Sequence, residues 1–227
     1  WLWLKSPKKT ARIIRLSDLV IAGNQYLADY ARYYSENVAI IPSTVDARAY
    51  YPIEKASSEK VTIGWSGSPT TVPYFEEMVP VFLRLKQRYG NKLQFRLLGD
   101  PGYVNEALGI KGVAWTSETE VEVIRSFDIG IMPMPDDEWS KGKCAMKGIQ
   151  YMGLGIATVM TGVGMNKEVI TDGVNGFLAL SQEEWFEKLS LLIEQPELRL
   201  SLGRAGAVTV AQRYTMQVQL PILNDLL

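Results

Sequence analysis

The sequence contains no histidine, and this absence excludes several kinds of active site. Histidine-ligated metal centres, Ser-His-Asp triads and histidine general bases all require an imidazole. Cysteine is nearly absent as well, because Cys144 is the single one in the chain. An internal disulfide is therefore excluded, and a lone cysteine is typical of a protein from a reducing compartment.

The sequence also lacks a membrane-spanning run, a signal peptide and a surplus of either charge. Basic and acidic residues number 24 and 25, and the net charge of −1 predicts no nucleic-acid partner. The 227 residues, 47% of them hydrophobic, suffice for one large domain or two small ones. The chain begins at Trp1 and not at methionine, which we interpret as a fragment or an amino terminus that was not retained.

Short apolar runs alternate with helical patterns along the chain, and glycine or proline separates them. Strands are predicted at 18–22, 38–41, 61–65, 93–99, 111–115, 128–132, 156–160 and 175–180. Helices are predicted at 26–34 (capped by Asn24), 74–89, 117–127, 143–152, 166–170, 181–194, 197–213 and 216–227. Such alternation predicts a parallel sheet covered on both faces, whose ligands bind beyond the carboxyl ends of the strands.

One loop at this predicted edge has the composition of a phosphate-binding turn. The stretch GWSGSPTT, residues 64–71, combines Gly67 with small hydroxyl side chains that include Ser68 and Thr71. Glycine permits close approach of the backbone to a ligand. Glycine-serine turns are also common, so an ordinary turn remains the alternative.

A second loop, after Met132, contains lysines where a helix is predicted to begin. Lys141 and Lys143 precede or open the predicted helix 143–152. The positive end of the helix dipole disfavours lysine there, so either a bound phosphate or the acids at 136–138 must compensate. Lys147 lies four residues after Lys143 and shares its helix face, and Gln150 lies roughly on that face as well.

A third pattern concerns the helix at 117–127. Ser117 and Glu120 have the spacing of a capping box, in which each side chain bonds the other residue's backbone N–H. The local sequence therefore predicts a structural role for Glu120.

Six segments together resemble a group 1 glycosyltransferase of the GT-B fold. They are IPSTVDARAYYP (41–52), IGWSGSPTT (63–71), FRLLGD (95–100), FDIGIMPM (127–134), GKCAMKGIQYMGLGIATV (142–159) and GMNKEVITDGVNGFL (164–178). The resemblance implies an α/β fold: a Rossmann-like parallel sheet with helices on both faces, the donor-binding half of a GT-B enzyme, plus a remnant of the amino-terminal domain. The implied divisions are the acceptor-domain remnant (1–42), a linker (43–60), the donor-binding domain (60–212) and a carboxy-terminal crossing helix (213–227).

The resemblance also places a donor motif, two glutamates separated by seven residues, on this chain. Those positions hold Gly142 and Gln150 here. Gln150 can still hydrogen-bond the ribose diol, whereas Gly142 cannot replace a carboxylate. The arginine and lysine that the family carries after the first donor-domain strand are absent, and Ser68 and Thr71 occupy that region.

The remaining assignments follow from the same resemblance. Lys143 and Lys147 are expected to supply positive charge to a diphosphate, helped by the N–H groups of Cys144 and Ala145. Val113 and Trp115 are nucleobase candidates, although Trp115 also suits a core position. The predicted donor-binding set is Gly67, Ser68, Thr71, Lys143, Cys144, Ala145, Lys147 and Gln150. No catalytic residue and no metal ligand is assigned.

The expected function is transfer of a sugar from a nucleotide-diphosphate sugar to a glycan, lipid or protein acceptor, with retention of configuration. No cofactor is expected beyond this donor substrate, and the expected location is the cytoplasm. The basic and aromatic segment 1–15 leaves two alternatives, peripheral membrane contact through the amino-terminal domain or an ordinary amphipathic helix. Two other functions stay open: a nucleotide-binding or regulatory module without turnover, and an interaction domain with no nucleotide site.

Overall fold

The computed structural model describes residues 7–55 and 58–227. Part of the predicted segment 1–15 and of the predicted linker 43–60 lies outside the described residues. The elements run in this order: α1 (Pro7–Arg15), β1 (Val20–Ala22), α2 (Gln25–Arg32), β2 (Val38–Ile40), β3 (Val61–Ser66), α3 (Val72–Glu76), α4 (Val79–Tyr89), β4 (Leu93–Leu98), β5 (Val104–Asn105), β6 (Ile110–Lys111), α5 (Glu120–Arg125), β7 (Ile129–Met132), α6 (Glu138–Lys141), α7 (Met146–Gly153), β8 (Ala157–Thr161), α8 (Asn166–Val169), β9 (Phe177–Ala179), α9 (Gln182–Glu194), α10 (Pro196–Arg213) and α11 (Met216–Leu226).

The main sheet has five parallel strands in the order β4-β3-β7-β8-β9. The chain passes from β3 outward to β4, and then returns to place β7 on the other side of β3. This reversal creates a crevice beyond the carboxyl ends of β3 and β7, the usual ligand position in such sheets. The predicted α/β fold with a parallel sheet flanked by helices is confirmed. Strands β1 and β2 form a separate two-stranded parallel sheet.

Both faces of the sheet are covered by apolar side chains. On one face, rings of Trp65, Phe75, Phe82 and Phe95 follow one another with centroids 5.1–5.6 Å apart, next to α4 and α9. On the other face, the strands carry Gly64 and Gly130, where a Cβ would lie 2.1 and 2.5 Å from the rings of Phe127 and Tyr151. These glycines therefore let two aromatic rings reach the sheet. The Tyr151 hydroxyl also accepts a 2.7 Å hydrogen bond from the Ser66 N–H, which fixes the end of β3.

The segment between the two sheets is attached to the carboxy-terminal end of the chain. The Val45 N–H donates to the Tyr214 carbonyl and the Met216 N–H donates to the Val45 carbonyl, both at 2.9 Å. Val45 is 2% exposed.

The domain boundaries inferred from the sequence stay predictions. No helix within residues 7–55 and 58–227 combines the length and apolar character needed to cross a bilayer.

Two helix predictions are wrong in their bounds. The predicted helix 74–89 is divided into α3 and α4, because the Pro80 ring would clash with the Glu76 carbonyl in a continuous helix. The predicted helix 143–152 begins only at Met146, after the separate short helix α6. Lys143 therefore lies in a loop, and its side chain does not share a helix face with Lys147.

Candidate functional site

A cavity of about 440 Å³ lies beyond the carboxyl ends of β3 and β7, at the start of α7. Most of the predicted site residues line it: Gly67, Ser68, Thr71, Trp115, Lys143, Cys144, Ala145 and Lys147. Val113 and Gln150 do not belong to the lining. The structure thus brings the two predicted loops together around one space.

The wall after β3 is closely packed and largely self-contained. A Cβ at Gly99, whose φ is +121°, would lie 1.8 Å from the Gly67 carbonyl oxygen, so this contact requires glycine at position 99. The Gly67 N–H donates to Leu98, and the Ser68 N–H donates to the Thr71 hydroxyl, which itself donates to the Ser68 carbonyl. The N–H groups of Gly67 and Ser68 are therefore occupied, and the loop also carries hydroxyl groups.

Ser66 adds an unsatisfied group to the same wall. Its side chain is 2% exposed, and its Oγ has no hydrogen-bond partner among the described residues. A buried hydroxyl without a partner costs free energy, which a polar ligand in the cavity would recover.

The wall before α7 carries the cations, and the acids of its loop compensate only one of them. The Asp137 side chain accepts from the Ser140 N–H and caps α6, and Glu138 forms a 2.6 Å ion pair with Lys141. Within residues 7–55 and 58–227, Lys143 has no carboxylate in ion-pair range. Its ammonium lies over the Trp139 ring, 4.6 Å from the centroid. The local acids therefore leave the Lys143 charge available.

The backbone next to Lys143 presents free donors. Ala145 precedes α7 in the left-handed conformation, with φ +52° and ψ +21°. Among the described residues, the N–H groups of Cys144 and Ala145 have no acceptor. The first N–H groups of α7 also lack partners within the helix. Non-glycine residues in this conformation are uncommon and concentrate at functional sites.

Lys147 is tied into a partly buried network that the sequence did not reveal. Its Nζ lies 3.2 Å from Glu120 Oε1, the Tyr50 hydroxyl donates to Glu120 Oε2 at 2.9 Å, and Gln150 Nε2 donates to the Tyr50 hydroxyl at 2.8 Å. The predicted capping role of Glu120 is wrong, because α5 begins at Glu120 with Thr119 at the N-cap position, and the Glu120 carboxylate bonds Tyr50 and Lys147 instead. Only the tertiary structure brings these residues together.

The network sets the protonation of its members. Burial raises the pKa of Glu120, but a hydrogen bond from Trp115, the charge of Lys147 and the Tyr50 bond outweigh it, so this pKa lies below its usual value. Burial and the bond to Glu120 raise the pKa of Tyr50. Outside this network, on the cavity lining, burial raises the pKa of the Cys144 thiol. At neutral pH Glu120 is a carboxylate, whereas Tyr50 and Cys144 stay protonated.

A family model described as "Glycosyl transferases group 1" matches residues 60–195, which contain the five-stranded sheet up to α9 and the cavity. The chain belongs to the group 1 glycosyl transferases. No curated protein matches this group 1 glycosyl transferase by sequence.

Solved structures with the same fold come from several organisms. Sucrose-phosphate synthase from Thermosynechococcus elongatus aligns with a TM-score of 0.76 and 13% identity, over 98% of this chain and 62% of that one. The carboxy-terminal domain of the Francisella tularensis group 1 glycosyl transferase LpcC aligns at 0.62 and 19%, over 76% of this chain and 100% of that one. Anabaena HepE in complex with UDP-glucose aligns with a TM-score of 0.68 and 15% identity, over 97% of this chain and 69% of that one. These alignments confirm the predicted GT-B fold. This glycosyl transferase chain covers 62% of the length of sucrose-phosphate synthase.

Proposed function

We propose that this chain is the donor-binding, carboxy-terminal part of a glycosyltransferase, which moves a sugar from a nucleotide-diphosphate sugar to a glycan, lipid or protein acceptor with retention of configuration. The observation that carries the proposal is the cavity wall before α7. Lys143, Cys144 and Ala145 line one cavity. Within the described residues, the Lys143 ammonium has no carboxylate partner, and the N–H groups of Cys144 and Ala145 have no acceptor. The complex of Anabaena HepE with UDP-glucose supports a donor of this class.

The chemistry of transfer explains why such groups are needed. Cleavage of the sugar–phosphate bond leaves a growing negative charge on the departing diphosphate. Lys143 and the N–H groups of Cys144 and Ala145 would stabilise that charge, because they are already oriented before the reaction begins. Lys147 adds charge that Glu120 offsets at 3.2 Å, and Ser66 and Ser68 offer hydroxyl groups from the opposite wall.

The proposed nucleoside contacts involve Trp115 and Val113. Trp115 is half exposed and lines it, which suits a ring that stacks on a base. Val113 holds the neighbouring backbone, since its carbonyl accepts from the Gly99 N–H at 2.8 Å. Contact of Gln150 with the ribose requires its amide to release Tyr50 or to use Oε1, a buried atom without a partner among the described residues.

Replacement of Lys143 tests the anion site. We expect Lys143→Ala to weaken binding of UDP or GDP by about 1.5–3 kcal/mol, because a charge-assisted contact to the diphosphate is lost. Isothermal titration calorimetry measures this change. Lys141→Ala is the matched control, since Lys141 is paired with Glu138 and does not line the cavity. Equal affinities of the two variants, or a wild-type chain that binds neither nucleotide at millimolar concentration, would contradict the proposal.

A binding module without turnover is the second candidate function, and Gly142 favours it. The resemblance implies a glutamate of the donor motif at this position, and glycine supplies no carboxylate. The backbone would accept a side chain, because φ is −77° and the nearest atom to a Cβ, the Trp139 carbonyl oxygen, would lie 3.5 Å away. Binding of the nucleotide without donor hydrolysis or sugar transfer would identify such a module.

A further inference from the structure

The segment that follows β1 lies directly against the loop that carries Lys143. Asn24 is 2% exposed, although it belongs to the amino-terminal segment and not to the main sheet. Its Nδ2 donates to the Lys141 carbonyl at 3.1 Å and to the Lys143 carbonyl at 3.0 Å. Its Oδ1 accepts from the Leu27 N–H at 2.9 Å. Both amide hydrogens of this side chain are therefore used on the cavity loop.

Neighbouring residues make the same contact dense. A Cβ at Gly23 would lie 2.5 Å from Cys144 Sγ, so the two chain segments touch at this position. Tyr26 hydrogen-bonds to Glu138, the partner of Lys141. Leu27 Cδ2 lies 3.6 Å from the position of a Cβ on Gly142. Residues 138–144, which comprise α6 and the loop after it, thus pack against the residues around Asn24.

The peptide plane gives this contact a direct consequence for the cavity. The Lys143 carbonyl and the Cys144 N–H belong to one planar trans peptide, and they point in opposite directions. A donor that holds the carbonyl on the outer side therefore aims the N–H toward the other side. Cys144 lines the cavity, and its N–H has no acceptor within the described residues. A hydrogen bond to a carbonyl also polarises the peptide and strengthens the N–H as a donor.

We propose that Asn24 is a positioning residue of the anion site: it holds the Lys143 peptide so that the Cys144 N–H and the Lys143 side chain face the diphosphate. This inference rests on the proposed function for the identity of the ligand. It goes beyond that function by making the amino-terminal segment part of the donor site. Asn24 also caps α2, and a capping role alone would explain its burial without any effect on the ligand.

The substitution Asn24→Ser separates the two roles. Serine keeps an oxygen that caps the helix but has no amide to reach two carbonyl groups. Asn37→Ser is the matched control, because Asn37 Nδ2 donates to the Asp18 carbonyl within the same segment, at 2.6 Å and away from the cavity. The ligands are UDP, which carries the diphosphate, and uridine, which lacks it. Their affinities are measured by calorimetry and ligand-observed NMR at a temperature where all variants are folded.

We expect Asn24→Ser to reduce UDP affinity about tenfold, the scale of one strong hydrogen bond, and to leave uridine affinity unchanged. Hydrogen–deuterium exchange of residues 138–144 should accelerate in Asn24→Ser but not in Asn37→Ser. Unchanged exchange, or an equal loss of UDP and uridine binding, would overturn the positioning role. If the wild-type chain binds no UDP, the comparison is made with GDP and guanosine. If it binds neither diphosphate, the proposed function fails, and the exchange measurement alone decides whether Asn24 holds the loop.

Discussion

A chain of hydrogen bonds links Gln150, Tyr50 and Glu120. The single hydrogen of the Tyr50 hydroxyl sets the direction of this chain. The Tyr50 hydroxyl has one hydrogen, which it donates to Glu120 while it accepts from Gln150. A carboxylate at position 150 would leave two anions competing for that hydrogen. The resemblance to the family implies a glutamate there, and the presence of Glu120 gives a physical reason for the amide.

The substitution Gln150→Glu tests this explanation. We expect it to lower the free energy of unfolding by about 1–3 kcal/mol at neutral pH, because a buried acceptor loses its donor and a second charge is buried. The double variant Gln150→Glu with Glu120→Gln should recover part of this loss. Denaturant unfolding measures both, and Gln87→Glu, at an exposed position, should change the stability by less than about 0.5 kcal/mol. Additive effects of the two substitutions would show that Tyr50 does not couple them.

At this scale the sequence predicted the cavity lining better than it predicted the network behind it. A local pattern of lysines before a helix indicated Lys143, and the family resemblance added its neighbours Cys144 and Ala145; all three line the cavity. Glu120 has the local spacing of a cap, and no local rule could indicate that Tyr50 and Lys147 meet it. Asn24 was predicted as a helix cap, which is confirmed, but its other contact is made with a loop 117 residues away.

The junction between α6 and α7 differs from the single helix start that the sequence indicated. The break removes Lys141 and Lys143 from the first turn of α7, where the helix dipole disfavours lysine. The chain reverses through Ala145, which is 1% exposed and left-handed. Alanine carries no signal for such a conformation, since glycine or asparagine is the usual choice.

Ala145 should therefore tolerate glycine and not a branched residue. We expect Ala145→Gly to change the free energy of unfolding by less than about 1 kcal/mol, because relief of the left-handed backbone offsets the lost methyl. Ala145→Val should destabilise by more than about 2 kcal/mol. Ala179→Val is the control, since Ala179 is equally buried but lies in a strand. Thermal or denaturant unfolding measures these changes. Equal losses of stability in the two valine variants would contradict the prediction.

Across the whole molecule, strand-helix alternation was sufficient to predict a parallel sheet and the edge at which the cavity lies. It could not predict that residues 45–47 are bonded to the end of the chain, because polar segments with proline are typical of mobile connections. Val45 is one buried apolar residue in that segment, and its partners Tyr214 and Met216 are remote in sequence.

Two truncations measure the strength of this attachment. A chain that ends at Arg213 loses Tyr214, 2% exposed, and both backbone hydrogen bonds to Val45, so we expect it to lose at least about 3 kcal/mol of stability. A chain that ends at Gln219 keeps these contacts and should lose less than about 1 kcal/mol, because α11 has no buried residue. Denaturant unfolding compares the two, and equal losses would mean that α11 itself provides the stability.

The attachment of Val45 also has a consequence for biosynthesis. The Ala47 N–H, two residues further on, bonds Gln217, which follows 170 residues later. At about 5–20 residues per second, a ribosome needs on the order of 10–30 s to extend the chain that far. Until Tyr214 and Met216 have been synthesised, the backbone N–H and carbonyl of Val45 lack these two partners, so this attachment can form only when synthesis nears residue 216.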